Sequence, residues 1–158
     1  NTCKSTIKSI KDLKNINYLT VHISGGLKML KAVKSVSGKI KILGVTTLTS
    51  LDNNDLKKIG YSRNLKQVVI KLAKLAKLTK LDGIICSPNE AKYLKKICKG
   101  MEIITPGIRL RGDSLQDQKR VTSPKDAFNN GATGIVIGRS ITKGNISKNL
   151  KNLISHLS

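Results

Sequence analysis

The chain has 158 residues, 39% hydrophobic and 25% charged, enough for one globular core and not obviously for two. Lys and Arg outnumber Asp and Glu by 30 to 9, so a net charge of +21 favours anionic partners, from phosphorylated metabolites to nucleic acid. Cys3, Cys86 and Cys98 are odd in number and show no C-x-x-C spacing, which argues against a disulfide framework and a zinc site and suits a reducing cytoplasm. No apolar run approaches the roughly 18 residues of a membrane span.

In chain order, "INYLTVHI" reads as a strand. A helix follows in "SGGLKMLKAVKSV", with Ser24 as its cap and Leu27, Leu30 and Val33 at helical spacing. "KIKILGVTTL" is a second strand, and "DNND" a polar break. The next helix, Asn64 to about Lys80, places Leu65, Val68, Val69, Leu72, Leu75 and Ala76 on one face. Then come the strand "GIICS", the helix "NEAKYLKKIC", the strand "EIIT", a long loop, the helix "PKDAFNNG", the strand "GIVIG" and the helix "ISKNLKNLISHL". That is an α/β chain of about five β-then-α units.

Strands alternating with helices call for a parallel sheet covered by helices, and the short strands are apolar on both faces, as such a sheet requires. Neither G-x-G-x-x-G nor G-x-x-x-x-G-K-[ST] is present, so the usual fingerprints of an open nucleotide-binding sheet are missing. A (β/α)8 barrel gathers its polar residues at the C-terminal ends of its strands. Here those ends carry His22 and Ser24, Thr46 to Ser50, Ser87, Arg109, and Gly138 with Arg139. Five units cannot close eight strands, so the sheet is open or about three units are absent.

The last two strands run into "TPGIR" and "VIGRS". Gly107 and Gly138 allow close backbone approach to an anion, while Arg109 and Arg139 each present a planar, permanently charged fork suited to phosphate. Gln118 adds an uncharged donor from the long loop "ITPGIRLRGDSLQDQKRV", whose length marks a lid or binding element. Asp113 and Asp117 in that loop read as partners for Arg111, Lys119 or Arg120 rather than as an acid–base pair.

The segments "VHISGG", "VTTLTS", "GIICSP", "ITPGIRLRGD", "DQKRVTSP" and "GATGIVIGRSIT", in this order over essentially the whole chain, resemble the orotidine 5′-phosphate decarboxylase family. The resemblance implies a (β/α)8 barrel of which residues 1–158 supply the C-terminal portion, strands four to eight. It implies conversion of orotidine 5′-phosphate to UMP and CO2 in pyrimidine biosynthesis, in the cytoplasm, without metal or cofactor. It places Arg139, the Gly138 backbone and Gln118 on the 5′-phosphate, with Arg109 in the same cluster and Thr49 against the pyrimidine. A homodimer is implied, with Thr2 reaching the ribose in the neighbouring subunit. The long loop would then be a lid that closes on the phosphate, using remote binding energy to organise the reacting centre.

The family's Asp-x-Lys-x-x-Asp signature is not in these residues, and Asn1 and Thr2 resemble its tail. The resemblance thus leaves no catalytic residue in this chain, places the lysine and aspartates before Asn1, and implies that 158 residues alone are inactive. Leu110 and Ser140 stand where the family commonly has Pro, which bears on lid stiffness.

His22 reads as structural or supporting, since no metal-ligand spacing surrounds it. "KLAKLAKLTK" reads as an outer helix rather than a membrane-surface segment, and Cys86 as a buried, inert thiol. Two other functions compete. A sister barrel acting on another phosphorylated substrate would share the phosphate end but not Thr49 and the Asp/Lys signature. A basic nucleic-acid-binding domain fits the charge, but the lysines spread over nearly every helix, aromatics are 3%, and no helix-turn-helix, zinc or RNP pattern occurs. A small nucleotide, not nucleic acid or membrane, is the expected partner.

Overall fold

The computed structural model describes residues 2–109, 122–155 and 157. Five strands, β1 (Tyr18–His22), β2 (Lys41–Val45), β3 (Gly83–Ile85), β4 (Glu102–Thr105) and β5 (Gly134–Ile135), form one sheet in the order β1-β2-β3-β4-β5. Every neighbouring pair is parallel, with Leu43, Gly83 and Glu102 level across three strands. The order never reverses, so there is no switch point of the kind that places ligands in open, doubly wound sheets.

Helices α1 (Thr2–Ile10), α2 (Gly26–Lys34), α3 (Asn53–Lys58), α4 (Leu65–Leu78), α5 (Pro88–Ile97), α6 (Pro124–Asn129), α7 (Arg139–Thr142) and α8 (Ile146–Ser155) complete the chain. One face of the sheet is sealed: Ile42, Ile84 and Ile103 pack with Leu30 and Val33 of α2, Val69, Ala73 and Ala76 of α4, and Leu94 of α5. The other face of β1 is open, with Tyr18, Thr20 and His22 exposed.

Two polar clamps fix the strand starts. The Asp82 carboxylate, just before β3, accepts from Lys34 Nζ at 2.6 Å and from the Ile42 amide at 2.7 Å, tying α2, β2 and β3 together. On the open face Lys41 Nζ donates to Glu102 Oε1 at 2.6 Å, Tyr18 Oη donates to the same oxygen at 3.4 Å, and Lys41 Nζ lies 5.5 Å from the Tyr18 ring centroid. The Glu102 hydrogen bond and charge hold the Lys41 ammonium above its ordinary pKa. Between these strands Gly83 must lack a side chain, because a Cβ there would stand 2.7 Å from both Glu102 O and Leu43 Cδ2.

Several local expectations shift. Ser24 does not cap α2: it lies inside a 3-10 turn, Ile23–Gly25, and the helix starts at Gly26 with Gly25 as N-cap. Ile23 then takes a fully buried place, while Leu27, expected on the buried face, is 40% exposed. "DNND" is not merely a break. Asp52 Oδ1 accepts from the Asn54 and Asp55 amides, and Asp55 Oδ2 accepts from the Asp52 amide, a reciprocal cap that opens α3. Helix α4 runs as expected from its cap, with Asn64 Oδ1 accepting from the Gln67 amide, but ends at Leu78. "GIVIG" contributes only Gly134 and Ile135 to the sheet, and α7 follows it.

Candidate functional site: the exits of strands four and five

The C-terminal ends of β4 and β5 are adjacent, since Thr105 is level with Ile135. Beyond β4 the chain turns at Gly107, whose φ of +79° is the left-handed conformation that glycine adopts without steric cost. Ile108 is fully buried with Ala127 and Ala132 and makes a parallel bridge to Thr122. Arg109 N donates to Thr122 O at 3.2 Å and Thr122 N to Gly107 O at 3.3 Å, so the base of the long loop is pinched shut. The half-buried Arg109 guanidinium donates through Nη1 to Ile108 O at 3.0 Å.

Beyond β5, Gly138 precedes α7, and among the described residues no atom other than those of its chain neighbours lies within 4 Å of where its Cβ would stand, leaving its backbone open to approach. Its carbonyl accepts from the Ile141 amide at 2.9 Å, which turns the chain so that Arg139 is exposed at the start of α7. Asn149 of α8 locks this turn, donating through Nδ2 to Ile141 O at 3.0 Å and Lys143 O at 2.8 Å. Gly107, Arg109, Gly138 and Arg139 are therefore brought to two neighbouring strand exits.

The remaining predicted residues are placed differently. Thr49 is half-buried in the turn after β2, two strands away from β4. Upstream of it, Thr46 donates through both its amide and Oγ1 to Ile85 O at 3.0 Å. Thr2 starts α1, ahead of β1, and lines a cavity of about 600 Å³ with Gly25, Lys28, Met29 and Ala32. Its helix packs against α2, which joins β1 to β2, whereas Arg139 follows β5 at the other end of the strand order. Gln118, Leu110 and the other lid residues fall outside the described residues. His22 ends β1, exposed on the open face.

Among the described residues, the buried hydroxyls of Thr47 and Thr105, near the exits of β2 and β4, have no hydrogen-bond partner. Thr47 falls within the polar run Thr46 to Ser50 that the sequence places at a strand end, whereas Thr105 gives no signal, because a threonine inside an apolar strand has no pattern that separates its hydroxyl from a packed one. Cys86 is fully buried and desolvation pushes its thiol far up, so it is inert at neutral pH. Among the described residues, the β4 and β5 exits offer guanidinium groups and approachable backbone, which is the chemistry of anion binding.

Comparison with known proteins agrees with this chemistry. The profile of the orotidine 5′-phosphate decarboxylase / HUMPS family matches residues 1–149. The chain is 50% identical over 157 residues to orotidine 5′-phosphate decarboxylase of Wolbachia sp. subsp. Brugia malayi, covering 98% of this chain and 69% of that protein. It is 52% identical over 147 residues to the protein of the same name from Wolbachia pipientis subsp. Culex pipiens, covering 90% of this chain and 64% of that one. The chain thus spans about two thirds of the length of these relatives. The crystal structure of orotidine 5′-phosphate decarboxylase from Lactobacillus acidophilus superposes on all of this chain and 70% of its own with a TM-score of 0.83, at 31% identity. With sequence, strand order and exit chemistry all in agreement, the chain belongs to the orotidine 5′-phosphate decarboxylase / HUMPS family.

Proposed function

We propose that this chain supplies the phosphate- and pyrimidine-binding part of an orotidine 5′-phosphate decarboxylase, a cytoplasmic enzyme releasing CO2 from orotidine 5′-phosphate to give UMP. The observation that supports it most directly is the pairing of Gly107 and Arg109 with Gly138 and Arg139 at adjacent strand exits, in a chain of this family. In this reading the five strands are the fourth to eighth of a (β/α)8 barrel, and residues 1–158 are its C-terminal portion. Their unreversed, all-parallel order is the order such a barrel requires.

The reaction breaks the bond between C6 of the pyrimidine and its carboxylate, leaves the electron pair on C6, and places a proton there. This chain's part is to bind and orient. Arg139, the Gly138 backbone, Arg109 and Gln118 hold the 5′-phosphate, and Thr49 meets the polar edge of the ring. The long loop closes over the phosphate, its base already fixed by the Ile108–Thr122 bridge. The proton-donating lysine and its aspartates belong to a segment ahead of Asn1. Two copies assemble with Thr2 acting in the neighbouring site, which accords with its place on α1, away from Arg139.

Calorimetric titration with UMP tests the assignment. Arg139→Ala is expected to weaken UMP binding about 10- to 100-fold, the loss of one charge-assisted contact, with the melting temperature unchanged. Unchanged affinity would remove Arg139 from the phosphate site. The 158-residue chain is expected to release no CO2 from orotidine 5′-phosphate, and release by this chain would overturn the placing of the catalytic groups.

A further inference from the structure

Between α4 and the 3-10 turn that follows β1 the surface folds in to a cavity of about 340 Å³, at the lower end of the ~300–1,000 Å³ of small-molecule sites. Its apolar lining belongs to the core: Ile23 is fully buried, Val68 is 4% exposed, and Leu72 and Leu75 pack against the main cluster. Around these stand Arg63, Lys71, Tyr61, Ser24 and Ser62. Among the described residues the lining holds no Asp or Glu, and neither Arg63 nor Lys71 has an ion-pair partner.

The polar wall is held at both ends. Gly60, at φ +90°, ends α3, and the Tyr61 amide donates back to Leu56 O at 2.9 Å. Three residues on, Asn64 Oδ1 accepts from the Gln67 amide at 3.0 Å, and Asn53 Oδ1 accepts from the Leu65 amide at 2.7 Å. Tyr61 to Arg63 thus form a short connection between two fixed helix ends, so the cavity exists before any ligand arrives. We infer that it is a second anion site, taking a small phosphomonoester borne on a flat apolar ring. Arg63 brings a planar fork and Lys71 a point charge, and Ser24 and Ser62 bring hydroxyl donors. Tyr61 and the two leucines offer the surface on which a ring packs. An inorganic anion would leave the apolar lining unused, and a neutral ring would leave the two cations unused. The cavity of about 450 Å³ beside Tyr93 has Glu90 in its wall, the wrong sign for an anion, and the one beside Thr2 has no aromatic residue. Ser24 follows β1 and α4 precedes β3, whereas the proposed phosphate residues follow β4 and β5, so the two sites are built from different units.

The test places 3-fluorotyrosine at Tyr18, Tyr61 and Tyr93, the three tyrosines of the chain, and follows added phenyl phosphate by fluorine NMR at fixed ionic strength. The Tyr61 signal, identified by its loss in Y61F, is expected to shift with a Kd of about 1–5 mM, as a ligand of about eleven non-hydrogen atoms allows, while Tyr18 and Tyr93 stay in place. R63Q/K71Q is expected to weaken this binding at least about tenfold, and R63K/K71R to retain it. K57Q/K74Q removes as much charge from α3 and α4 outside the cavity and is expected to leave the shift unchanged. Equal loss from both glutamine pairs would make the attraction diffuse and overturn the site. An equal shift with inorganic phosphate would remove the ring from the assignment, and loss of the shift in Arg139→Ala would move the probe to the strand exits. Movement of all three tyrosines together would make the binding unselective; each of these results overturns the inference. Because the two sites share no residue, failure here leaves the Arg139 titration intact, and the reverse holds too.

Discussion

Beneath β2, β3 and β4, helices α2, α4 and α5 seal Ile42, Ile84 and Ile103 into a continuous apolar cluster. Around β5 the buried apolar set shrinks to Ile108, Ala127 and Ala132, and no described residue of α7 or α8 is buried. The proposed phosphate residues stand at that sparse end: Arg109 follows Ile108, and Gly138 and Arg139 lead into α7. The proposed phosphate contacts are therefore separated along the sheet from the densest packing, whereas Thr49, proposed to meet the ring, follows β2 at the dense end. Regions with few buried apolar contacts open at low cost, and a ligand that binds there contributes order that the packing does not.

The contrast breaks most sharply in the dense half. Ile84→Ala deletes a fully buried side chain against α4 and α5 and is expected to cost about 2–5 kcal/mol in urea unfolding. Next comes Gly83→Ala, where the new methyl meets Glu102 backbone oxygen and Leu43; a loss of about 1–3 kcal/mol is expected by the same measurement. A stable Gly83→Ala protein would mean that β3 and β4 separate more easily than their register implies.

A smaller effect follows from pH. Burial raises the Cys86 and Cys98 thiols, with Lys77 opposing the rise at Cys98, so the folded state holds protons that the unfolded chain releases. Their contribution is complete below the ordinary thiol value of 9.0 and declines as pH rises above it; Lys41 behaves alike above 10.5. Urea midpoints are expected to fall between pH 8 and pH 10, and Cys86→Ala to flatten that fall. Smallest of all, Leu150→Gln on α8, where Leu150 is 44% exposed, is expected to change stability by less than about 0.5 kcal/mol. A cost equal to that of Ile84→Ala would show that the β5 end is as tightly held as the centre.

The elements that the sequence announces are those with a long or repetitive signal. Helix α4 carries a capping Asn64 and an apolar face sustained over its length, and both survive in the structure. Helix α1 offers only Ile7 and Ile10 as apolar anchors among polar residues, too little periodicity to register. At α3 the acidic cluster that looks like a break is the cap itself, because Asp52 and Asp55 bond each other's backbone across one turn. Leu27 was misplaced because the 3-10 turn delays α2 and rotates its apolar face toward Leu30 and Val33.

In the site, Arg109 and Arg139 were legible because a glycine and a permanent charge recur after two apolar strands. That they flank neighbouring strands is a property of the sheet order, which periodicity does not encode. Gln118 lies outside the described residues, so its part in the site stands as a proposal.

Because strand order follows chain order, each strand pairs with the strand that precedes it in the chain. Every ladder therefore closes across one local connection, of one helix or, between β2 and β3, of two, and the closure entropy grows only with the logarithm of its length. Within β1 to β5 a nascent chain can lay each strand on an edge already made, with no earlier pairing held open for a distant segment. The sheet is suited to assembling in step with its own synthesis, from the dense end toward the sparse one.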